Sequence, residues 1–393
     1  MASLYLHIPF CEKKCVYCDF YSIETLSHME EFLAGLTVEM ELYAERGAGT
    51  RFDTIFFGGG TPSLLTPEQL DRILTSLHSW YAVASDAEIT LETNPGTITP
   101  EKLQAFRTLG INRLSIGVQS FDERELQFLG RIHDSRQAVE AVTMARKAGF
   151  DNISIDLIYS LPGQSLEEWT STLERGLALG PQHVSAYSLI VEDNTPLARM
   201  VKARQVSPNP IEAEAALFEL TMRVMERNGF EHYEVSNHAK PGFRSRHNYA
   251  YWSHEDYLGF GPSAHSFWRA KDRRSGERWA NMANVSAYVG RLSEREAPVS
   301  FRETVGVQEL VNERIFLGLR SDGVNVEHLR EEFGIELRAD QRAMIRALVD
   351  GRLAVLEREV LRLTSKGFLL CDEIAGRLMT EKAAHVQGKA AKD

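Results

Sequence analysis

Cys11-Glu-Lys-Lys-Cys15-Val-Tyr17-Cys18, directly after Leu4-Tyr5-Leu-His7-Ile-Pro-Phe10, is the stretch on which the reading of this chain turns. Its three thiols, at spacings of four and three, lie on one short loop and can wrap three corners of a cuboidal iron–sulfur cluster. A structural zinc site usually takes four protein ligands in two pairs. No second pair lies nearby here, where Asp19 and Phe20 follow. A [4Fe–4S] cluster on three thiolates has one iron open to another ligand, and a zinc loop is the competing reading. Lys13 and Lys14 beside the cysteines are expected to lower the thiol pKa values. Cys371, flanked by Leu369 and Leu370, reads as a buried small hydrophobe.

Outward from this loop, short β-rich runs alternate with amphipathic helical stretches. Residues 4–8, 54–57, 88–92, 113–118, 152–158 and 183–189 read as strands, and 29–44, 67–80 and 135–148 as helices. Thr66-Pro67-Glu68 and Thr99-Pro100-Glu101 are helix starts, with a hydroxyl at the N-cap and proline at the first turn. Gly110 and Gly149 suit the stops. Alternation of this kind implies a parallel sheet. Six units within about 190 residues suit an open β/α barrel better than a closed eightfold one. Periodicity alone leaves a doubly wound sheet as the alternative. The cysteine loop follows the first strand and so falls at the C-terminal rim, where barrel folds place their chemistry.

Other rim positions point the same way. Gly58-Gly59-Gly60-Thr61-Pro62 follows strand two, where glycines let backbone approach a ligand. Glu92 ends strand three, Gln119 follows strand four and Asp156 lies late in strand five. Polar groups at the ends of several strands converge on one face.

The pattern changes near Pro208. A long helix over 211–228 leads to an aromatic and polar segment at 230–279. Helices over 310–319, 326–333 and 339–350 then precede a hairpin of 353–356 with 360–363, an order resembling a winged helix. The expected organisation is a barrel core at 1–208, a barrel-capping segment at 209–300, a C-terminal domain at 301–382, and a disordered Ala/Lys-rich tail at 383–393.

Charge and composition narrow the class. With 44 Lys and Arg against 55 Asp and Glu, net −11, the chain lacks the basic surplus of a general phosphate-backbone binder. Residues 301–380 carry 12 basic and 14 acidic residues, so the wing is not expected to grip DNA. Four cysteines in 393 residues, three of them clustered, are not a disulfide framework. No apolar run reaches the roughly 18 residues of a membrane span, and Met1 to Phe10 lack a secretory pattern. A cytoplasmic location is expected.

These motifs together resemble the radical S-adenosylmethionine (SAM) branch that holds the oxygen-independent coproporphyrinogen III dehydrogenases (HemN) and the heme chaperones (HemW). The resemblance rests on Cys-x3-Cys-x2-Cys with Tyr17 before the last cysteine, on Gly59-Gly60-Thr61-Pro62, and on Gly117-Val-Gln119-Ser. It extends to Leu129-Gly-Arg131-x-His133 and Asp156-Leu-Ile-Tyr-x-Leu-Pro162-Gly, and runs from Leu4 to about Leu378. It implies an α/β fold, a partial (β/α)6 radical SAM barrel with a smaller C-terminal α+β winged-helix-like domain. It also implies a [4Fe–4S] cluster on Cys11, Cys15 and Cys18, with SAM chelating the open iron. Tyr5, Tyr17, Gly59, Gly60, Thr61, Glu92, Gln119, Arg131 and Asp156 match positions that contact SAM. By charge, Glu92 suits the α-ammonium, Arg131 the carboxylate, and Asp156 the ribose hydroxyls or the sulfonium region.

Within the branch, three features favour the heme-chaperone side. Only ten residues precede Cys11, without the extension expected of the dehydrogenase, and Phe20 stands where that enzyme has an extra cysteine. His247-Asn248-Tyr249-Ala250-Tyr251-Trp252 matches the HNxxYW motif of the chaperones. An imidazole beside aromatic rings suits a porphyrin face, which makes His247, Tyr251, Trp252 and His265 the heme candidates. An aromatic loop capping the barrel, with His247 hydrogen-bonded, is the other account of that motif. The expectation is a heme carrier that docks transiently with a heme-accepting respiratory protein at the membrane, with dimerisation left open. Radical decarboxylation of coproporphyrinogen propionates is the alternative.

Overall fold

A computed structural model describes residues 2–379, so the tail expected at 383–393 lies outside the described residues. Six parallel strands form its centre: β1 (Ala2–Ile8), β2 (Arg51–Gly59), β3 (Ala82–Thr93), β4 (Arg113–Gln119), β5 (Asn152–Tyr159) and β6 (His183–Ser188). They stand side by side in chain order. A doubly wound sheet reverses its strand order at a switch point; this one does not, and the open barrel is the architecture observed.

Side-chain alternation explains how the sheet packs. Leu4, Leu6 and Ile8, then Ile55 and Phe57, Leu91, Leu114 and Ile116, and Ile153, Ile155 and Leu157 are all buried in one core under the helices. The intervening positions are Ser3, Tyr5 and His7, Glu88, Thr90 and Glu92, Arg113 and Ser115, Ser154 and Asp156, His183, Ser185 and Tyr187. Parallel strands in doubly covered sheets are usually apolar on both faces. Here one face is polar, because it lines the barrel interior. Register stacks these polar residues in layers. Tyr5, Phe56, Thr90 and Arg113 are cross-strand neighbours, as are Glu92, Ser115, Ser154 and His183 one step higher.

Helix ends follow local chemistry. Thr66 caps Pro67–Trp80 in a reciprocal box with Gln69, and Thr99 accepts from the Lys102 amide at 3.2 Å. Gly110 and Gly149 terminate their helices at φ +103° and +87°.

The sheet continues at both edges. Beyond β6 lie β8 (Asn237–Ala239) and β7 (Glu231–His232), and beside β1 lie β9 (Asp256–Phe260), β10 (His265–Arg269), β11 (Gly276–Asn281) and β12 (Val299–Val305). Helix Arg246–Trp252 packs on the polar side of β1 and β2. The C-terminal unit is a separate α+β core. Leu310, Ile315, Leu329, Ile345, Leu361 and Ile374 are buried between its helices and the antiparallel strands β13 (Val324–Asn325), β14 (Ala354–Glu357) and β15 (Val360–Leu363). Cys371 is buried in the same core. Among the described residues, no helix is long and apolar enough to cross a membrane.

Candidate functional site

The cysteine loop leaves β1 at Pro9 and is tied back on itself. Ile23 donates its N–H to Pro9 O at 2.8 Å, and Cys11 N–H reaches Ile23 O at 3.0 Å. Neighbouring rim loops hold its far side, through Val16 N–H to Leu129 O at 3.3 Å and Leu197 N–H to Val16 O at 2.9 Å. His7 Nε2 bonds the Tyr21 carbonyl at 2.8 Å from below. A loop anchored at four points presents its thiols from a fixed frame, which metal ligation requires.

The glycine run after β2 is what lets this loop sit so low. Gly60 donates its N–H to Ile8 O at 2.9 Å, and Thr61 to Phe10 O at 2.7 Å. A Cβ on Gly60 would lie 2.7 Å from Phe10 O and 2.8 Å from Ile8 O; one on Gly59 would meet the His7 ring at 2.7 Å. Gly59 also holds φ +102°, which glycine adopts without strain. The close approach these glycines permit is therefore first that of the chain's own β1 and loop backbone.

Hydrogen-bond donors are aimed at the sulfurs. Thr61 Oγ1 donates to Cys11 Sγ at 3.4 Å and Arg131 Nη1 to Cys15 Sγ at 3.3 Å. Arg131 Nη2 is held by Gly117 O at 2.9 Å, while its Nε is buried with no partner. Tyr17 is hydrogen-bonded to both Cys15 and Arg131. Such donors to thiolate sulfur set the potential of an iron–sulfur cluster, and the orphaned Nε suits an anionic ligand. Burial pushes the Cys18 thiol up to about 11, and Cys15 pushes it the same way. The expected lowering by lysine is therefore overturned at Cys18. Lys14 does pull down, but desolvation is the larger effect. Burial and the neighbouring Cys15 and Cys11 disfavour the bare Cys18 thiolate, which a bound cation would stabilise, so the donor set fits a cluster. Among the described residues, no three His, Cys, Asp or Glu side chains are gathered tightly enough for a single ion; a cuboidal cluster instead takes one thiolate per iron.

Beneath the loop stand the inward carboxyls. Glu92 accepts from the Gly59 N–H, yet burial, and then the neighbouring Asp156 charge, push it up to about 8. Asp156 accepts from Ser115 Oγ at 3.1 Å to each oxygen, and burial holds it above its ordinary value. Gln119 sits at φ +66°, a conformation uncommon for a residue with a Cβ, at the end of β4. Tyr5 lies on the same face, its hydroxyl 3.2 Å from His7 Nδ1. Eight of the nine positions matched to SAM contacts thus lie on the cysteine loop, at the strand ends or on the polar face below them, and Arg131 reaches the same place from the turn after helix Glu123–Leu129.

A curated relative from Bacillus subtilis (strain 168), named heme chaperone HemW, is 36% identical over 385 residues, 97% of this chain and 100% of that protein. The chain belongs to the HemW family of radical SAM proteins. A HemW from Lactococcus lactis is 34% identical over 96% of this chain and 97% of its own. The radical SAM superfamily model matches residues 5–176, and the HemN C-terminal domain model residues 307–370. The solved coproporphyrinogen III oxidase HemN from Escherichia coli superposes with a TM-score of 0.81 at 24% identity, over 96% of this chain and 90% of that one, a likeness of fold. Membership in a radical SAM family implies a [4Fe–4S] cluster and SAM.

The heme candidates of this HemW-family chain are placed differently from the rim residues. His247 is 1% exposed on the barrel floor. Its Nδ1 lies 2.7 Å from Thr54 Oγ1 and its Nε2 3.0 Å from the Tyr251 hydroxyl, while Glu88 receives its N–H at 3.1 Å. Burial, and then Arg113, lower its pKa to about 3, so the ring is neutral. Tyr251 packs edge-on against Tyr257 at 4.7 Å. Trp252 and His265 are half-buried. The structure thus brings His247 and Tyr251 together, but inside the barrel and with both imidazole nitrogens engaged.

Inward groups absent from the motif reading complete the interior: Arg113, Tyr187 and Glu234. Tyr187 feels Asp156, Glu234 and Glu92, and Glu234 is pushed up to about 8 by burial. The signal available for Arg113 and Tyr187 was the period-two polar positions within their strands. Glu234 lies between β7 and β8, where no such period operates.

Proposed function

We propose that this chain is a heme chaperone that takes up heme and delivers it, by transient docking, to a heme-requiring respiratory enzyme at the membrane. The observation that carries this reading is the full-length match to relatives named heme chaperones, against a likeness to the dehydrogenase that reaches only the fold.

Cys11, Cys15 and Cys18 would hold the [4Fe–4S] cluster. Tyr5, Tyr17, Gly59, Gly60, Thr61, Glu92, Gln119, Arg131 and Asp156 would hold SAM. A cluster–SAM pair supplies one-electron radical chemistry when bound. The chain's own part is positioning: Thr61 and Arg131 hold the sulfurs, the inward carboxyls receive cationic groups, and the layered polar interior orients what enters. For heme, His265 is the half-exposed imidazole of the candidates, with Trp252 a half-exposed ring. Ligation by His247 would first require its bonds to Thr54 and Tyr251 to open.

Anaerobic reconstitution tests the reading. Stoichiometric heme uptake, seen as a Soret band, with no divinyl product from coproporphyrinogen, is the expected result; formation of that product would establish the dehydrogenase instead. Parallel titration of His247→Ala and His265→Ala, with iron content as a control for folding, assigns the ligand.

A further inference from the structure

Arg113 opens β4 at the lower end of the polar face and is 1% exposed. Its Nε and Nη1 nonetheless have no hydrogen-bond partner. Thr90, its cross-strand neighbour, has an unpartnered hydroxyl in the same layer. A guanidinium does not shed its proton when buried, so a full charge stands, with two of its three nitrogens unpartnered, where desolvation is costly. Folds retain such a group when its field acts on something else.

The candidates for that something stand one and two register steps higher on the same face. Glu92 follows Thr90 by two residues on β3, and Asp156 stands on β5, hydrogen-bonded to Ser115, Ser154 and Ser185. Each carboxyl is half-buried, and Asp156 disfavours the ionised form of Glu92. Arg113 acts in the opposite sense on both. The other titratable groups facing this interior are Tyr5 and His7 on β1, Glu88 on β3, His183 and Tyr187 on β6, Glu234 and Tyr233 from the β7–β8 segment and His247 from the floor helix, with Arg131 at the rim. The three histidines are held in their neutral forms by burial and Glu234 is pushed toward its neutral form, so the one other cation among the described residues here is Arg131, which is bonded to Gly117 O and Cys15 Sγ. A direct ion pair would occupy the lone pairs of one carboxylate. A cation standing off favours ionisation while leaving those lone pairs free for a ligand.

We propose that Arg113 is a positioning residue for ligand binding, an interior counter-charge whose field favours Glu92 and Asp156 as the carboxylates that receive the cationic groups of SAM. This rests on the reading that SAM binds at those two carboxyls.

The test is the pH profile of SAM affinity, by equilibrium dialysis from pH 6 to 9 on the anaerobically reconstituted protein. Wild type, Arg113→Lys, Arg113→Met and Glu92→Gln are compared; the ligand's own ammonium titration is common to all four. Wild-type affinity rises with pH as Glu92 ionises. Arg113→Met moves that rise up by about one pH unit, weakening binding roughly tenfold near neutrality and recovering at the alkaline end. Arg113→Lys, whose ammonium is neutralised by burial more readily than a guanidinium, places its rise between those of wild type and Arg113→Met. If Arg113→Met does not fold, Arg113→Gln takes its place with the same expectation. A loss of equal factor at every pH, or no change at any, overturns the proposal. Glu92→Gln separates the two failures. If it leaves affinity unchanged, the placement of SAM is wrong and the proposal falls with it. If it weakens binding while the Arg113→Met profile superimposes on wild type, the role of Arg113 alone is wrong.

Discussion

At the scale of single residues, the site depends on positions with no chemistry of their own. Gly60→Ala would drive a methyl against Phe10 O and Ile8 O, two backbone atoms that the cysteine loop cannot move without losing its anchor. The expected cost is about 1–3 kcal/mol, together with a fall in bound iron per chain after reconstitution, whereas Gly290→Ala, with open space around it and ordinary backbone angles, should retain full iron. Glu39 is a second such residue, fully buried on helix Met29–Leu42. It accepts from Gly261 N–H at 2.8 Å, from Asn281 Nδ2 and from the Tyr288 hydroxyl at 2.5 Å each. Burial outweighs these donors and pushes it from near 4.5 up to about 7. An acid whose pKa is raised on folding contributes fully below its unfolded pKa and loses that contribution as pH rises through its folded one. Wild type should therefore lose about 3 kcal/mol between pH 4.5 and pH 8 from this group. Glu39→Gln should flatten that part of the curve in denaturant melts taken across the range. Neither residue stands out in the sequence. Gly60 belongs to a run that reads as ligand-facing, and Glu39 looks like one more helix glutamate, because burial is a property of the packed fold.

At the scale of elements, the HNxxYW helix owes its place in the fold to contacts far from it in the chain. Arg246–Trp252 is only seven residues long and cannot supply its own stability. Ser245 caps it through Asn248 N–H at 3.3 Å, and the Glu88 carboxylate on β3 takes the amides of Arg246 and His247, both at 3.1 Å. A carboxylate at a helix N-terminus is also favoured by the peptide dipoles. Glu88→Ala should strand two buried donors and cost about 2–4 kcal/mol, read as a lowered melting temperature. Iron content should stay near wild type, since the cysteine loop is anchored at the other end of the strands. Equal loss of iron would show that floor and rim are one cooperative unit. The aromatic residues of the motif invited a heme face; in the fold they form a stack from Phe56 through His247 and Tyr251 to Tyr257, with adjacent centroids 4.7–5.0 Å apart. Aromatic rings bury against one another for the same reason they would bury against a porphyrin, and sequence does not distinguish the two.

At the scale of the whole molecule, the barrel and the C-terminal unit are joined in part by polar contacts, some of them partly buried ion pairs. Glu313, on helix Val307–Leu319, lies 2.7 Å from Arg278 on β11 and 2.9 Å from His254, just beyond the floor helix. Arg244 reaches Asp322 at 2.7 Å, and Val235 N–H donates to Arg320 O at 3.0 Å. Removing one member of a partly buried pair strands the other. Glu313→Leu should cost about 3 kcal/mol or more and split the calorimetric unfolding into two transitions, one for each hydrophobic core; a single shifted transition would show that the cores remain coupled without it. The sheet carries the same lesson. Residues 256–305 enter as strands beside β1, although they follow β1 by some 250 positions, and no periodicity reports a partner so distant in the chain.

What the sequence by itself determined is whatever is written in local spacing: the cysteine loop, the capped helices, and the six strands with their period-two polarity. Family membership is legible there too, because its motifs are short and contiguous. What only the tertiary structure decided is what each polar group faces. Glu92, Asp156, Arg113 and His247 lie far apart in the chain, and nothing local to any of them states which of the others it meets. Folding puts them inside one barrel, where desolvation raises two carboxyls, neutralises an imidazole and leaves two nitrogens of a guanidinium unpartnered. Those are consequences of low dielectric and of neighbours brought from distant segments, and no window of local sequence contains either.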